Sequence, residues 1–347
     1  MKPSFSYNPQ PTTYQPPAKY LHIPPMPPAP LSLPDLAVGA RVEGPFLVWD
    51  VEQRTQADGS PYAILTLSNS SGRLKTAPFW SSDIHKVEGI QKGAVVSVIG
   101  DLGMYRNDRQ LKVTSVRPLP RETADWKLLL PSVGDVTPWW SALDKWRTDM
   151  ADGPWRHAVA LFYDDPDFRT QYERCPASLA NHHAELGGLL KHTAEVGVIA
   201  RHIAKTCGAA WDVVLAGVLL HDIGKLEAYR WDGLFEMTEA GSLLGHVVLG
   251  SLMLDRRLDE PETPVTSDTE RLVLQHLVLS HHGELEFGSP IRPMTLEAEV
   301  LHQADQASAS TANLAAALSE PANFGDGESV SRPIWSLDRR RVYRGSA

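Results

Sequence analysis

Histidine and aspartate residues recur through the second half of this chain, beside apolar runs that predict helices. Imidazole nitrogens and carboxylate oxygens together are the ligands expected for divalent ions such as manganese, iron or zinc. Two adjacent ions of this kind lower the pKa of a bound water and neutralise charge that develops on a phosphorus atom. The pattern therefore predicts metal-dependent hydrolysis, with candidate ligands His192, His221, Asp222, His246, His281, His282 and Asp305.

The candidate ligands fall into two groups around Asp222. His221 and Asp222 are consecutive in LLHDIGK, and consecutive side chains of a helix diverge by about 100°. One ion can therefore bind both only at a helix end, which Gly224 favours. Alternatively, Asp222 bridges two ions with one oxygen on each. The first group comprises His192, His221, Asp222 and Asp305, and the second comprises His246, His281 and His282.

The identity of the metal is less well defined than its ligands. The same ligand types suit manganese, iron, cobalt and nickel. We expect two divalent ions, with manganese favoured and iron, cobalt, nickel or magnesium as alternatives. Lys225 follows one turn after His221 and Asp222, and we expect it to contact a phosphate oxygen or to assist the leaving group.

Length and composition bound the class of protein. The 347 residues are comfortable for two domains, and 42% hydrophobic with 22% charged residues is typical of a soluble globular chain. Cys175 and Cys207 form no CxxC pair, which argues against thiolate-bound zinc and a disulfide framework and suits a reducing cytoplasm. No apolar run reaches the roughly 20 residues that span a bilayer, so we expect no membrane partner.

Charge is unevenly distributed along the chain. The net charge of −9 argues against a protein that coats duplex nucleic acid nonspecifically. Residues 36–120 contain ten Lys or Arg against eight Asp or Glu, so this region is weakly positive. Residues 121–347 contain 21 against 33, and carboxylates that bind metal would be counted among these acids.

Proline marks the first segment. Residues 1–34 contain 11 of the 27 prolines, which predicts a disordered, polyproline-like tail. The tail is either a solvated extension or a segment that docks on another protein. The other predicted boundaries are a barrel at 36–120, a helical linker at 121–180, a helical domain at 181–318 and a C-terminal extension at 319–347.

Short strands separated by turns fill residues 36–120. Five strands with a short helix after the third, around Ser82–Ile90, follow the order of an OB-fold, a barrel that often binds single strands. The predicted fold class is thus multidomain β + α, an N-terminal OB-fold β-barrel followed by an all-α domain. The predicted strands are Arg41–Arg54, Tyr62–Leu67, Arg73–Trp80, Val95–Leu102 and Gln110–Val116.

Aromatic and basic side chains are interleaved along the predicted barrel. Stacking of a base on an aromatic ring contributes about 1–3 kcal/mol, and nearby cations hold the phosphates. We expect half or more of the aromatics to lie in the barrel core, so Trp80 and Tyr105 are the preferred stacking residues. The candidate nucleic-acid contacts are Tyr62, Arg73, Lys75, Trp80, Tyr105, Arg106 and Arg109.

Helical periodicity dominates from Asn181 onward. Val213–Leu220 is predicted to be a fully buried helix that ends at His221. Residues 320–347 show no such periodicity and are predicted to be loosely structured. Further helices are predicted at Ser242–Leu254, Thr269–Leu279 and Leu296–Leu318, and an earlier amphipathic helix is predicted to pack through Trp139, Trp140 and Trp146.

The motifs GGLLKHT, LLHDIGK, a later GH, SHHG and a distal aspartate resemble the HD-domain phosphohydrolase superfamily over about residues 181–315. Within it, HHAELGGLLKHTAEV and SHHGELEFGSPIRPMTLEAEVLHQAD are similar to the YhaM-type 3′→5′ exoribonucleases. In that family an OB-fold precedes an all-α HD domain, and the region around GMYRNDRQLKV fits the last part of such a barrel. The likeness therefore covers about residues 36–315.

The resemblance implies roles for individual residues. Lys225 matches the lysine of the HD-x-G-K signature, and His183, in a matching HHxxxGGLLxHT stretch, is implied to contact substrate or to cap the helix. The run after the last aspartate usually resembles DNLDA, but here Ser308 stands where a second acid often occurs. The implied catalytic residues are Asp222, Lys225 and His183, and the implied ligands of the first metal are His192, His221, Asp222 and Asp305.

The predicted function is a metal-dependent 3′→5′ exonuclease. It would use metal-activated water to hydrolyse single-stranded RNA or DNA to nucleoside 5′-monophosphates, as a monomer or a homo-oligomer in the cytoplasm. An HD phosphodiesterase or phosphatase for a small or cyclic nucleotide is one alternative, although such a ligand needs no barrel to hold it. A nucleic-acid-binding protein with an inactive HD fold is another, although the complete ligand set argues against it.

Overall fold

The computed structural model describes residues 32–105, 108–262, 264–320, 323–325 and 327–345. The predicted proline-rich tail lies almost entirely outside these ranges, so its role stays a prediction. The strands are β1 (Arg41–Thr55), β2 (Pro61–Asn69), β3 (Gly72–Thr76), β4 (Val95–Tyr105), β5 (Asp108–Leu119), β6 (Tyr229–Arg230) and β7 (Glu236–Met237). The helices are α1 (Trp126–Leu129), α2 (Thr137–Asp149), α3 (Pro154–Tyr163), α4 (Pro166–Tyr172), α5 (Gly188–Cys207), α6 (Trp211–Leu220), α7 (Lys225–Ala228), α8 (Glu239–Asp259), α9 (Asp268–Ser280) and α10 (Leu296–Ser319).

Strands β1 to β5 close into a barrel. β1 pairs antiparallel with both β2 and β4, and β3 pairs in parallel with β5, which gives the order β1-β2-β3-β5-β4. This is the strand order of the predicted OB-fold. Alternating side chains fill the interior with an apolar core that includes Phe46, Leu65, Val98 and Leu111.

Two details of the barrel differ from the sequence prediction. β3 ends at Thr76 rather than at Trp80, because Pro78 has no N–H to donate to a strand ladder. The helix predicted over Ser82–Ile90 is a single 3-10 turn, Ile84–Val87.

An apolar seam joins the barrel to the helical domain. Leu47 of the barrel and Leu186 of the helical domain are buried in the same cluster. Arg121 adds a polar link, because its guanidinium donates to the carbonyl oxygens of Gly93 in the barrel and Asp232 in the helical domain. The barrel is therefore held against the helices by apolar packing and hydrogen bonds together.

Helix α6 lies at the centre of the helical domain, and its residues from Val214 to Leu220 are all buried. Val213, predicted to be buried with them, is only partly buried. It packs against α3, α5, α9 and α10. Trp139, Trp140 and Trp146 are also buried in the core, which confirms that they are structural. No helix among the described residues is long and apolar enough to cross a membrane.

The residues after α10 are more ordered than predicted. Antiparallel bridges join Val330 to Tyr343 and Ile334 to Arg340. Ile334 and Phe324 also pack with other buried side chains near the end of α10. Non-repetitive packing of this kind leaves no periodic signal in a sequence.

The turn after α6 passes directly against α8. Helix α6 ends at Leu220, which confirms the predicted helix end, but Gly224 has an ordinary right-handed φ of −65°. A Cβ at Gly224 would lie 2.0 Å from the carbonyl oxygen of His246 and 2.3 Å from the nitrogen of Gly250. The glycine is therefore required for the close approach of two segments that carry candidate ligands, rather than for a left-handed cap.

We expect Gly224→Ala to lower the free energy of unfolding by about 1–3 kcal/mol, because an overpacked contact forces the backbone apart. Urea unfolding followed by far-UV circular dichroism measures the change. Gly103→Ala is the control, since a Cβ there meets only the carbonyl oxygen of Gln110 at 3.7 Å. Equal stability of the two variants would contradict the close-approach role.

Candidate metal centre

The seven predicted ligands converge on one cluster. Three lie within helices, and four lie directly after helix ends. The backbone of His221 and of His281 keeps right-handed helical angles, and both members of each consecutive pair still contribute to one ligand group. The helical ligands are His192 on α5, His246 on α8 and Asp305 on α10, and the others are His221 and Asp222 after α6 and His281 and His282 after α9.

The carboxylate of Asp222 occupies the middle of the cluster. Its Oδ2 lies 3.2 Å from His221 Nε2 and 3.7 Å from His192 Nε2. Its Oδ1 lies 3.3 Å from His246 Nε2 and 3.7 Å from His281 Nε2. Each oxygen faces a different histidine pair, which is the arrangement that a bridging carboxylate requires.

The remaining two ligands extend the groups on either side of Asp222. Asp305 Oδ1 lies 3.0 Å from His192 Nε2, within the first group. His282 belongs to the second. Within each of two sets, the ligand atoms lie within 4.8 Å of one another. One set comes from His192, His221 and Asp222, and the other comes from His246, His281 and His282.

Several of these ligand atoms are buried without a hydrogen-bond partner among the described residues. An unpaired buried polar atom costs about 1–3 kcal/mol, so a convergent group of them needs a common partner. A divalent cation satisfies all of them at once, and imidazole and carboxylate are ordinary ligands for it. The residues therefore fit a metal. The unpaired atoms are Nε2 of His192, His221, His246 and His281 and Oδ1 of Asp222.

Backbone carbonyls fix the orientation of three histidine rings. Nδ1 of His221 and Nδ1 of His281 each donate to the carbonyl oxygen three residues earlier, at 2.8 and 2.7 Å. Nδ1 of His282 donates to the carbonyl oxygen of Phe287 at 2.6 Å. These hydrogen bonds place the proton on Nδ1 and leave the Nε2 lone pair available to a metal.

The ionisation states of the cluster also suit a metal. Burial lowers the pKa of His192. It also lowers the pKa of His246 to about 3 and the pKa of His281 far below its ordinary value. These rings are therefore neutral at pH 7. Burial opposes the charge on Asp222, but Lys225 and the surrounding imidazoles outweigh it and hold the pKa of Asp222 well below its ordinary value.

Lys225 is buried beside Asp222, with its Nζ 2.6 Å from Oδ2. Burial opposes its charge, but Asp222 outweighs burial and raises the pKa of Lys225. Lys225 could contact a phosphate oxygen or a leaving group only while it is also paired with Asp222. That contact remains a proposal. Asp222 also raises the pKa of His221 in spite of burial.

A hydrogen-bonded chain that sequence reasoning missed supports the other ring nitrogen of His192. His192 Nδ1 lies 3.2 Å from Ser308 Oγ, and Ser308 Oγ donates to Glu195 Oε2 at 3.1 Å. His183 Nε2 lies 2.7 Å from the same oxygen. Ser308, on α10, thus connects His192 to an acid on the same helix as His192, α5. The signal was the three-residue spacing of Glu195 from His192 and of Ser308 from Asp305.

His183 lies beside the metal centre. Burial lowers the pKa of His183, but hydrogen bonds to Glu185 and Glu195 outweigh burial and raise it. Its backbone has a φ of 49°, and a Cβ at Gly188 would lie 2.0 Å from its carbonyl oxygen. The glycine pair of HHAELGGLL therefore lets this loop lie on the start of α5. A substrate contact by His183 remains a proposal.

The aromatic candidates in the barrel are accessible. Tyr105 is 57% exposed and Trp80 is 45% exposed. The Trp80 ring is tilted against Tyr62, with 5.1 Å between the ring centres. These rings could stack with bases, as the sequence predicts.

The basic candidates in the barrel are more constrained than predicted. Arg106 lies outside the described residues, and the other three have partners within the barrel region. The Arg73 guanidinium lies over the Trp49 ring, 3.4 Å from its centre. Lys75 Nζ donates to the Glu52 carboxylate at 2.7 Å, and Arg109 Nη1 donates to the Pro34 carbonyl oxygen at 2.7 Å.

Comparison with known protein families accounts for the helical domain. The model of the HD domain matches residues 189–310, a range that contains all the metal-ligand candidates. This chain carries an HD domain. Its HD motif is His221-Asp222, the pair that follows α6.

Curated relatives extend the likeness from the HD domain to the barrel. The 3′-5′ exoribonuclease YhaM of Halalkalibacterium halodurans is 28% identical over 323 residues, covering 88% of this chain and 94% of its own. YhaM of Bacillus velezensis is 29% identical over 318 residues, covering 88% and 96%. YhaM of Bacillus subtilis is 28% identical over 313 residues, with the same coverage.

Among solved structures, the second OB-fold domain of replication protein A from Methanococcus maripaludis matches 24% of this chain and 84% of that domain. The sequence identity is 13% and the TM-score is 0.18. The OB-fold assignment made above rests on the strand order of the barrel.

We expect Ser308→Ala to weaken manganese binding about 10- to 100-fold, the usual effect of losing the hydrogen bond that orients a metal-bound histidine. Isothermal titration with manganese chloride measures the affinity. Ser310→Ala, exposed on the same helix, is the control and should bind like the wild type. Ser308→Thr keeps the hydroxyl and should restore most of the affinity. Unchanged affinity in Ser308→Ala would contradict its support of His192.

Proposed function

We propose that this protein is a metal-dependent 3′→5′ exonuclease that shortens single-stranded RNA and releases nucleoside 5′-monophosphates. Single-stranded DNA is the alternative substrate. The observation that carries the proposal is the set of unpaired ligand atoms around Asp222. This set of atoms belongs to a chain of which 88% is matched by a YhaM exoribonuclease.

The two groups of ligands would hold two divalent ions, with Asp222 shared between them. When bound, such ions supply a water of lowered pKa and positive charge for the phosphoryl oxygens. We propose manganese as the resident ion, because it accepts both imidazole and carboxylate ligands. The chain itself keeps Asp222 ionised through Lys225 and directs the Nε2 atoms of His221 and His281 inward. Burial keeps His192, His246 and His281 neutral.

The barrel would hold the strand whose end is cleaved. Trp80 and Tyr105 expose ring surface on which bases can stack. Residues 36–120 carry a small positive charge while the rest of the chain is acidic, so a polyanion is attracted to the barrel more than to the HD domain. A phosphodiesterase for a small nucleotide would have no use for such a platform.

We expect two manganese ions per chain in the wild type and one in His246→Ala, because the first group keeps all its ligands in that variant. Equilibrium dialysis followed by elemental analysis counts the ions. His157→Ala is the control, since His157 is exposed and bound to Asp152 at the surface. A single ion in the wild type, or two in His246→Ala, would contradict two sites that share Asp222.

Cleavage and strand binding should separate between the two domains. We expect Asp222→Asn to slow shortening of 5′-labelled RNA about 1000-fold, because a metal centre supplies several kcal/mol of transition-state stabilisation. Binding of the same RNA should be nearly unchanged. Trp80→Ala should instead weaken binding about tenfold through lost stacking.

Filter binding and a ladder of products in manganese buffer measure the two effects. Trp335→Ala is the control, because Trp335 is an exposed tryptophan outside the barrel. A ladder that shortens from the 5′ end, or no turnover of any strand, would refute the proposed exonuclease. Equal losses of binding and cleavage in Asp222→Asn would refute the division between the domains.

A further inference from the structure

A groove of about 840 Å³ runs between α5 and α10 beside the candidate metal centre. Its volume is within the range of about 300–1,000 Å³ that is typical of small-ligand sites. Ser308, which contacts metal ligand His192, forms part of its wall. The groove thus adjoins the site of the proposed cleavage, and His183 of the HHxxxGGLLxHT stretch lines it.

The end of the groove beside the metal centre is polar. His183, Glu185 and Glu195 line it together with Ser308. The Glu195 hydrogen bonds to His183 and Ser308 use only Oε2, and the Glu185 contacts with His183 and Lys191 use only Oε1. Each carboxylate therefore keeps one oxygen without a hydrogen bond from the described residues. Such oxygens can accept hydrogen bonds from hydroxyl groups.

The other end of the groove is apolar and has one wall of small side chains. Val198 and Ile199 of α5 face Ala312, Ala315 and Ala316 of α10 across it. Alanine methyl groups leave room for a flat ring between two helices, and aliphatic side chains cover the faces of such a ring. This end is therefore suited to a nucleobase.

The charges in the groove do not suit a run of phosphates. Its lysine, Lys191, is already bound to Glu185 at 3.1 Å, and Glu195 adds a further negative charge. Phosphate backbones are held by available lysine and arginine side chains. The groove therefore fits a single nucleoside and excludes a continuing strand.

We propose that this groove binds the 3′-terminal nucleoside of the RNA. The base would lie between α5 and α10, and the ribose hydroxyls would donate to Glu185 and Glu195 beside the metal centre. The inference rests on the proposed function, because an enzyme that removes one nucleotide at a time needs a subsite for one nucleoside beyond the scissile phosphate. The rest of the strand would leave the centre on another side, toward the barrel.

The test compares two RNA strands that differ only in whether the 3′-terminal nucleotide carries a base or is abasic. In the wild type, we expect loss of the terminal base to lower kcat/KM for the first cleavage about tenfold, because a bound ring loses its contacts. In Ala312→Phe, a phenyl ring occupies the groove. The intact strand should then be cleaved as slowly as the abasic strand.

Ser310→Phe is the matched control, since it adds the same ring to an exposed position of α10 outside the groove. It should keep the tenfold preference. If Ala312→Phe fails to fold, Ala316→Phe takes its place, because Ala316 is exposed and tolerates a larger side chain. An unchanged preference for the intact strand in the folded groove variant would overturn the proposal.

A second measurement tests the polar end of the groove. A 3′-phosphate would bring negative charge against Glu185 and Glu195, so we expect the wild type to cleave 3′-phosphorylated RNA at least tenfold more slowly than RNA with a free 3′-hydroxyl. Glu185→Gln should reduce this difference. The subsite would be overturned, with the exonuclease left intact, if the wild type cleaved three RNAs equally well. These are RNA with a 3′-phosphate, RNA with a free 3′-hydroxyl and RNA with an abasic 3′-terminal nucleotide. Failure to shorten any RNA would instead overturn the proposed function itself.

Discussion

The negative charge of Asp222, buried at the centre of the HD domain, places the strongest constraint on the fold. A carboxylate in an apolar interior is costly unless positive charge or hydrogen-bond donors surround it. Lys225 supplies one positive charge at 2.6 Å, but Oδ1 faces only the Nε2 atoms of His246 and His281. Because those rings have their pKa lowered by burial, cations from solution are the natural complement.

That constraint explains where the glycines occur. The ligands come from helices that must approach one another closely around one carboxylate. Gly224 and Gly250 let the turn after α6 contact α8, and Gly188 lets the loop that carries His183 lie on α5. The same close packing of helices that brings the ligands together requires glycine at these contacts, since a side chain at either contact would move a ligand as well as a helix.

The ligands and the barrel could be predicted from sequence because both leave local signals. The candidate metal ligands stand out as charged or imidazole side chains beside apolar runs, and the strands alternate with turns. Contacts between residues far apart in sequence left no such signal. The groove between α5 and α10 and the position of Arg73 over Trp49 depend on how α5 packs on α10 and β1 on its neighbours. The role of Gly224 was misread for the same reason.

The docking of the barrel on the HD domain has a consequence for the length of the substrate. Leu47 and Leu186 share one apolar cluster, and Arg121 bonds to both domains. The proposed stacking rings and the candidate metal centre are therefore held at a set separation. In the proposed exonuclease, a strand long enough to reach both would be gripped while it is cut, whereas a shorter remnant would touch only one of them. Digestion should therefore slow at a characteristic remnant size set by the architecture, with no regard to base sequence.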